Sequence, residues 1–167
     1  MEPTALRDLY LLELKDLYDA ESRIIKALPK MVEAARSPEL RAGFEHHLQQ
    51  TQNQVSRLEK IFSGLDQSPK GQKCKGIIGI IDEAEEMIND TVDSPPAVSD
   101  AALIASAQRV EHYEIAAYGT VRTWAMRLGR PEDAALLQET LQEEGQIDKK
   151  LTELAESYVN EEAKFAS

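Results

Sequence analysis

Apolar side chains recur at intervals of three and four residues through four long stretches of this chain, and apolar-polar alternation of strand type is absent. Such a pattern can bury one continuous face only if each stretch is helical, which confines the chain to an all-α fold. The first stretch, Thr4 to Ala35, places Tyr10, Leu14, Leu17, Ile24, Leu28 and Met31 on one side. Pro29 lies inside it and removes a backbone donor, which predicts a kink. The segment "RSPEL" restarts the chain: Ser37 can accept from orphan amides, Pro38 suits the first helical position and Glu39 complements the helix dipole. The second helix then runs to about Ser63 and stops at Gly64. In "LGRPEDAA", Gly129 ends a helix that begins near Asp100, and Pro131 opens another reaching roughly Tyr158.

Between these hairpins lies a long connection over residues 65–99. It holds the polar segment "DQSPKGQKCKG", a short amphipathic helix from about Ile77 to Asn89, and the stop "DSPPAVSD". A connection of that length lets the second and third long helices run parallel, whereas an up-and-down bundle would use short loops throughout. The expected architecture is the ferritin-like form of the four-helix bundle: two antiparallel hairpins, a long crossover and an additional short helix, in a single domain over residues 1–167. The crossover helix "IIGIIDEAEEMI" is expected either to pack across a bundle face or to enter a dimer interface. The hairpins are weakly repetitive. A shift that carries Glu21 onto Glu114 carries Leu48 onto Leu141; one three residues shorter carries Glu21 onto Glu111 and Gln54 onto Glu144.

With 167 residues the chain can bury a core without covalent staples. Its 19 basic and 30 acidic residues give a net charge of −11, which argues against nucleic acid or an anionic membrane as partner. The start "MEPTALRDLY" lacks a basic segment followed by an apolar run, and no stretch approaches the ~20 apolar residues of a membrane span. A soluble, cytoplasmic protein is therefore expected. Cys74 is the only cysteine, so neither an intrachain disulfide nor a thiolate cluster can form.

The apolar stripes are interrupted by acids. On the last long helix Leu137, Leu141, Leu151 and Ala155 define a seam, and Glu144 and Asp148 fall on it. On the third, Glu111 and Glu114 flank the centre of the arc formed by Ile104, Ala107, Ile115, Tyr118 and Ala125. Glu21 continues the stripe of Leu14 and Leu17, while the second helix offers His47, Thr51 and Gln54 on the seam of Phe44, Leu48, Val55 and Leu58. Folding each hairpin about its turn sets Glu21 opposite Asn53 and Gln54, and Glu114 opposite Glu144, with Glu111 beside Asp148. The two groups of acids can therefore meet at one level of the bundle.

Buried carboxylates without counter-charge take up protons rather than stay ionised. The inward stripes carry no lysine, and Arg122 is the one arginine near them. A pair of metal ions is the simplest counter-charge, and oxygen ligands with a little nitrogen suit iron, or alternatively manganese. The candidate ligands are Glu21, His47, Gln54, Glu111, Glu114, Glu144 and Asp148. His47 is balanced between a ligand and a hydrogen-bonded core histidine. Tyr18, Tyr113 and Tyr118 are placed to hold the acids through their hydroxyls.

Four segments, "DLYDAE", "FEHHLQQTQNQVSRLE", "QRVEHYEIAAYGT" and "LLQETLQEEGQIDKKLTELA", together with the cysteine of "CKGI", resemble the YciF-like ferritin-like bacterial stress-response proteins. The likeness runs from Leu6 to Ala155. It implies a ferritin-like bundle, a homodimer and a dinuclear iron-type site held by Glu21, Glu111, Glu114 and Glu144, with His47 or Gln54 from the second helix. Neither the second nor the fourth long helix contains the Glu-x-x-His pair common in ferritin-like metal sites. Two functions compete. One is a metal protein in iron handling or oxidative-stress defence, which if an enzyme is a di-metal oxidoreductase acting on oxygen or peroxide. The other is a non-catalytic structural or interaction dimer with a vestigial site.

Overall fold

Ser37 and Pro38 start the second helix as their chemistry requires in the computed structural model, which describes residues 3–166. The Ser37 hydroxyl accepts from the Leu40 amide at 3.1 Å, and Pro38 takes the first position, where a missing N–H costs nothing. Helix α1 covers Leu6–Ala34, α2 Pro38–Leu65, α3 Lys75–Asp90, α4 Pro96–Arg127 and α5 Pro131–Leu154. A π-helical turn, Ala155–Val159, leads into α6, Asn160–Phe165, and the described residues contain no strand. Helices α1 and α2 form one antiparallel hairpin, α4 and α5 the other. Contacts of α1 with α4 and of α2 with α5 close the ferritin-like bundle, and the crossover helix α3 packs on α4 and α1.

Several boundaries differ from those the sequence suggests. Helix α4 starts at Pro96 rather than near Asp100, because Pro95 and Pro96 fit a helix entry as well as they fit a stop. Helix α2 passes Gly64, ends at Leu65 and is capped by Asp66, which adopts the left-handed conformation (φ 51°) that a short polar side chain tolerates. Gly129, at φ 70°, does supply the turn between α4 and α5. Helix α1 continues through Pro29, an exposed residue, so the carbonyl it leaves unpaired can turn to water. The last helix also outruns its expected end at Tyr158, because the π-helical turn adds a residue without breaking the helix. That turn buries Val159 and brings the Tyr158 hydroxyl to 2.8 Å from Ser37 Oγ.

Asp100 ties the first corner to α4. Its carboxylate, 3% exposed, accepts the backbone N–H of Arg36 at 2.7 Å and of Ser37 at 2.8 Å. Both donors would lose their acceptor in Asp100→Ala, at an expected cost of about 1–3 kcal/mol. Denaturant unfolding checks this: an unchanged midpoint would remove Asp100 from the determinants of the corner. Gly76, at the start of α3, serves a different contact. A Cβ there would fall 2.5 Å from Tyr113 Cε2, so only glycine lets the crossover helix close on the tyrosine of α4.

The buried apolar residues separate into two clusters. One gathers Ile24, Leu28, Leu40, Phe44, Ile77 and Leu103, and the other Tyr10, Leu14, Leu58, Phe62, Tyr118 and Leu137. Every long helix passes from one cluster to the other through a buried polar stretch: Glu21 on α1, His47 to Gln54 on α2, Glu111 and Glu114 on α4, Thr140 and Glu144 on α5. The bundle is therefore an apolar core with a polar layer across its middle.

Candidate metal centre

Each member of the polar layer is delivered inward by helical periodicity. Glu111 and Glu114, three residues apart on α4, lie on the same face as Ala107 and Tyr118. One atom each from His47, Glu111, Glu114 and Glu144 falls within 4.8 Å of the others, and all four residues are buried. Glu21, fully buried, adjoins the same group. It interacts with Glu114, Glu144 and His47, and it accepts a hydrogen bond from the Tyr118 hydroxyl. His47 Nε2 lies 3.2 Å from Glu111 Oε1 without hydrogen-bond alignment, so both ring nitrogens are without a partner.

The Gln54 amide donates to Glu144 and, at 3.0 Å, to Glu143 Oε2. Arg57 grips Glu143 from the far side with two bonds of 2.7 and 2.8 Å and also reaches Glu139. Thus Gln54 orients Glu144 and is itself held by an Arg57–Glu143 pair one layer further out, while its Oε1 stays unpartnered. Asp148 is not drawn into the group. It sits at the bundle edge, accepting from the Gln108 amide at 3.0 Å and lying 3.1 Å from His112 Nε2. Tyr113 bonds to Asp16 and contacts Cys74, and Tyr18 bonds to Glu59, so of the three tyrosines Tyr118 alone touches the central acids. Arg122 forms no ion pair among the described residues.

Burial dominates the electrostatics. It raises the carboxyl of Glu21 to about 8, with help from Glu144, and that of Glu111 to about 7, outweighing a hydrogen bond with Glu144 that favours ionisation and aided by smaller contributions from Glu21 and Asp148. Glu114 and Glu144 are raised well above the ordinary carboxylate range, again first by burial and then by their acidic neighbours. Burial lowers His47 against the opposing pull of Glu144 and Glu21, which favours the neutral imidazole able to ligate a cation. Glu21 Oε2, Glu111 Oε2, Glu144 Oε2, both Glu114 oxygens and both His47 nitrogens lack a hydrogen-bond partner. Buried polar atoms are rarely left so, and this donor set of carboxylates with one imidazole suits a pair of iron or manganese ions.

Raised carboxyls set the pH dependence of the metal-free protein. The folded state retains protons on Glu21 and Glu111 that the unfolded chain releases near 4.5. Their contribution to stability is therefore complete below that pH and lost as pH rises through about 7 and 8. Urea unfolding in chelator is expected to show stability declining across this window, with a shallower decline in Glu111→Gln. An identical slope in that variant would contradict the assignment.

Arg57 and Glu143 are parts of the site that sequence reasoning missed. The signal available was the spacing of Glu139 and Glu143 on α5, four residues apart, which presents two acids to one basic side chain on the facing helix.

The assembly of helices is matched in known proteins. The chain is 42% identical over 164 residues to protein YciF of Escherichia coli (strain K12), covering 98% of each chain. The crystal structure of that stress protein superposes with a TM-score of 0.90, covering 95% of this chain and 99% of the other. YcfI of Rhodopseudomonas palustris, provisionally described as a structural protein, gives a TM-score of 0.87 at 43% identity, over 90% of this chain and 95% of that one. A Xanthomonas campestris protein shares the fold at 24% identity, with a TM-score of 0.69 and 92% of each chain covered. Residues 5–164 match the family described as a domain of unknown function, DUF892, and the chain belongs to that family of YciF-like bundles.

Proposed function

We propose that the chain is a metal-dependent stress-response protein, in which Glu21, His47, Glu111, Glu114 and Glu144 hold a pair of iron ions, or manganese ions, for iron handling or defence against oxidants. The observation that carries this reading is the set of unpartnered oxygens and nitrogens those residues turn toward one another in a layer shut off from water. When bound, such a metal pair supplies redox chemistry toward oxygen or peroxide. The protein's own residues supply the rest. The carboxylates neutralise the cations on releasing their protons, neutral His47 adds a nitrogen donor, Tyr118 fixes Glu21, and Gln54 fixes Glu144. The stress role is carried from the E. coli relative, which is named a stress protein.

Anaerobic reconstitution of untagged protein with Fe(II), followed by elemental analysis, tests the reading. About two ions per chain are expected from a ferritin-like carboxylate site, together with a higher unfolding temperature. Protein that retains no iron and no manganese would overturn it. A second reading, a non-catalytic scaffold with a vestigial site, has in its favour the structural role provisionally given to the R. palustris relative. It predicts no metal-dependent stabilisation.

A further inference from the structure

A narrow cavity of about 40 Å³ lies beneath the crossover helix, enclosed by α1, α2, α3 and α4. Its walls are apolar, formed among others by Leu28, Met31, Phe44, Ala84, Ile88 and Ala107. Its lining also includes Lys30 and Glu85, an exposed ion pair at 2.6 Å, and His47 and Glu111 of the buried polar layer. Ser106, 2% exposed, is part of the same lining and carries a hydroxyl without any partner. The space thus touches both an exposed pair and two of the candidate ligands, with apolar side chains making up most of the rest of its lining.

We propose that this cavity binds dioxygen and delivers it to the carboxylate layer, an inference that rests on the metal reading above. Size and polarity select the occupant. An apolar cavity of about 150 Å³ admits benzene, so this smaller one is limited to a molecule of two or three atoms. Hydrogen peroxide would forfeit its hydrogen bonds to water against a lining that is mostly apolar side chains, whereas an apolar diatomic forfeits nothing on entry. The arrangement also gives α3 a function, that of roof over the passage: Ile81, Ala84 and Ile88 are its contribution.

Xenon, apolar and of similar girth, is the probe, used under pressure on crystals or followed through methyl shifts in solution. Xenon is expected between Phe44 and Ile88, and it should be absent from Ala84→Leu, whose larger side chain fills the space. In iron-loaded protein the same variant should slow oxidation by oxygen about tenfold while leaving oxidation by peroxide and the iron content unchanged. Ile88→Ala, which enlarges the cavity, should bind more xenon and lose no oxygen rate, and it serves as the informative variant if Ala84→Leu fails to fold. Xenon excluded from a metal-loaded protein, or oxygen and peroxide rates slowed equally by Ala84→Leu, would overturn this inference alone. Xenon bound in a protein that retains no metal would instead overturn the metal reading, and the oxygen role with it.

Discussion

Glu144→Ala is expected to abolish tight metal binding while leaving the bundle folded. Glu144 is the one residue of α5 in the central group, and it contributes an oxygen that no donor satisfies. Loss of an outer-layer partner of a ligand typically weakens metal affinity by about 10–100-fold, and loss of the ligand itself should exceed that. Elemental analysis after dialysis, with Glu139→Ala as control, separates the two cases. Glu139 also meets Arg57, but its side chain is 57% exposed and outside the central group, so its variant should keep the metal. Equal metal in both variants and the parent would mean that the ions lie elsewhere on this acidic chain.

Glu114→Met is expected to stabilise the metal-free protein and to remove any stabilisation by metal. Glu114 is fully buried and neither of its oxygens has a partner, an arrangement that costs about 1–3 kcal/mol relative to an apolar side chain of similar volume. For a chain of this size the unfolding temperature should rise by about 2–4 °C per kcal/mol recovered. The same substitution deletes a ligand, so added Fe(II) should raise the melting temperature of the parent and not of the variant. A less stable metal-free variant would show that the buried carboxyl contributes to folding and is not held in reserve for a cation. Such an exchange of stability against binding capacity is what a functional site embedded in a core predicts.

The bundle was largely legible because its signals are local and repeated. Apolar spacing marks each long helix, Ser37 with Pro38 and Gly129 with Pro131 mark two corners, and the long segment over residues 65–99 marks the crossover. Proline misled at one boundary, where Pro96 opens α4, while Pro29 lies inside α1, which continues through it. Both outcomes depend on what surrounds the ring, an entry turn in one case and an exposed helix face in the other. The continuation of α5 through the π-helical turn into α6 left no trace in the apolar spacing that could be told from an ordinary helix end.

At the candidate site, Glu21, Glu111, Glu114 and Glu144 could be placed from their stripes alone, since a helix fixes the direction of a side chain to within part of a turn. Asp148 shares the stripe of Glu144, yet it turns to Gln108 and His112 at the bundle edge. A turn of helix beyond the centre, the interhelical space opens toward solvent, and a charged group takes the wet side. His47, two turns from Gln54 along α2, meets Glu111 and Glu144, whereas Gln54 presents its amide nitrogen to Glu143 and Glu144.

The sequence by itself determined that the chain is helical, where its long helices lie, and that each must carry something polar into the bundle, because these follow from spacing along one chain. Only the tertiary structure decided which of those polar groups meet, that Arg57 and Glu143 brace Gln54 from outside, and that α3 roofs a cavity whose lining includes His47 and Glu111. Each of these is a relation between helices far apart in the chain. Their axial offset and rotation are set by how the apolar faces pack together, a property of the assembled core that no single helix encodes.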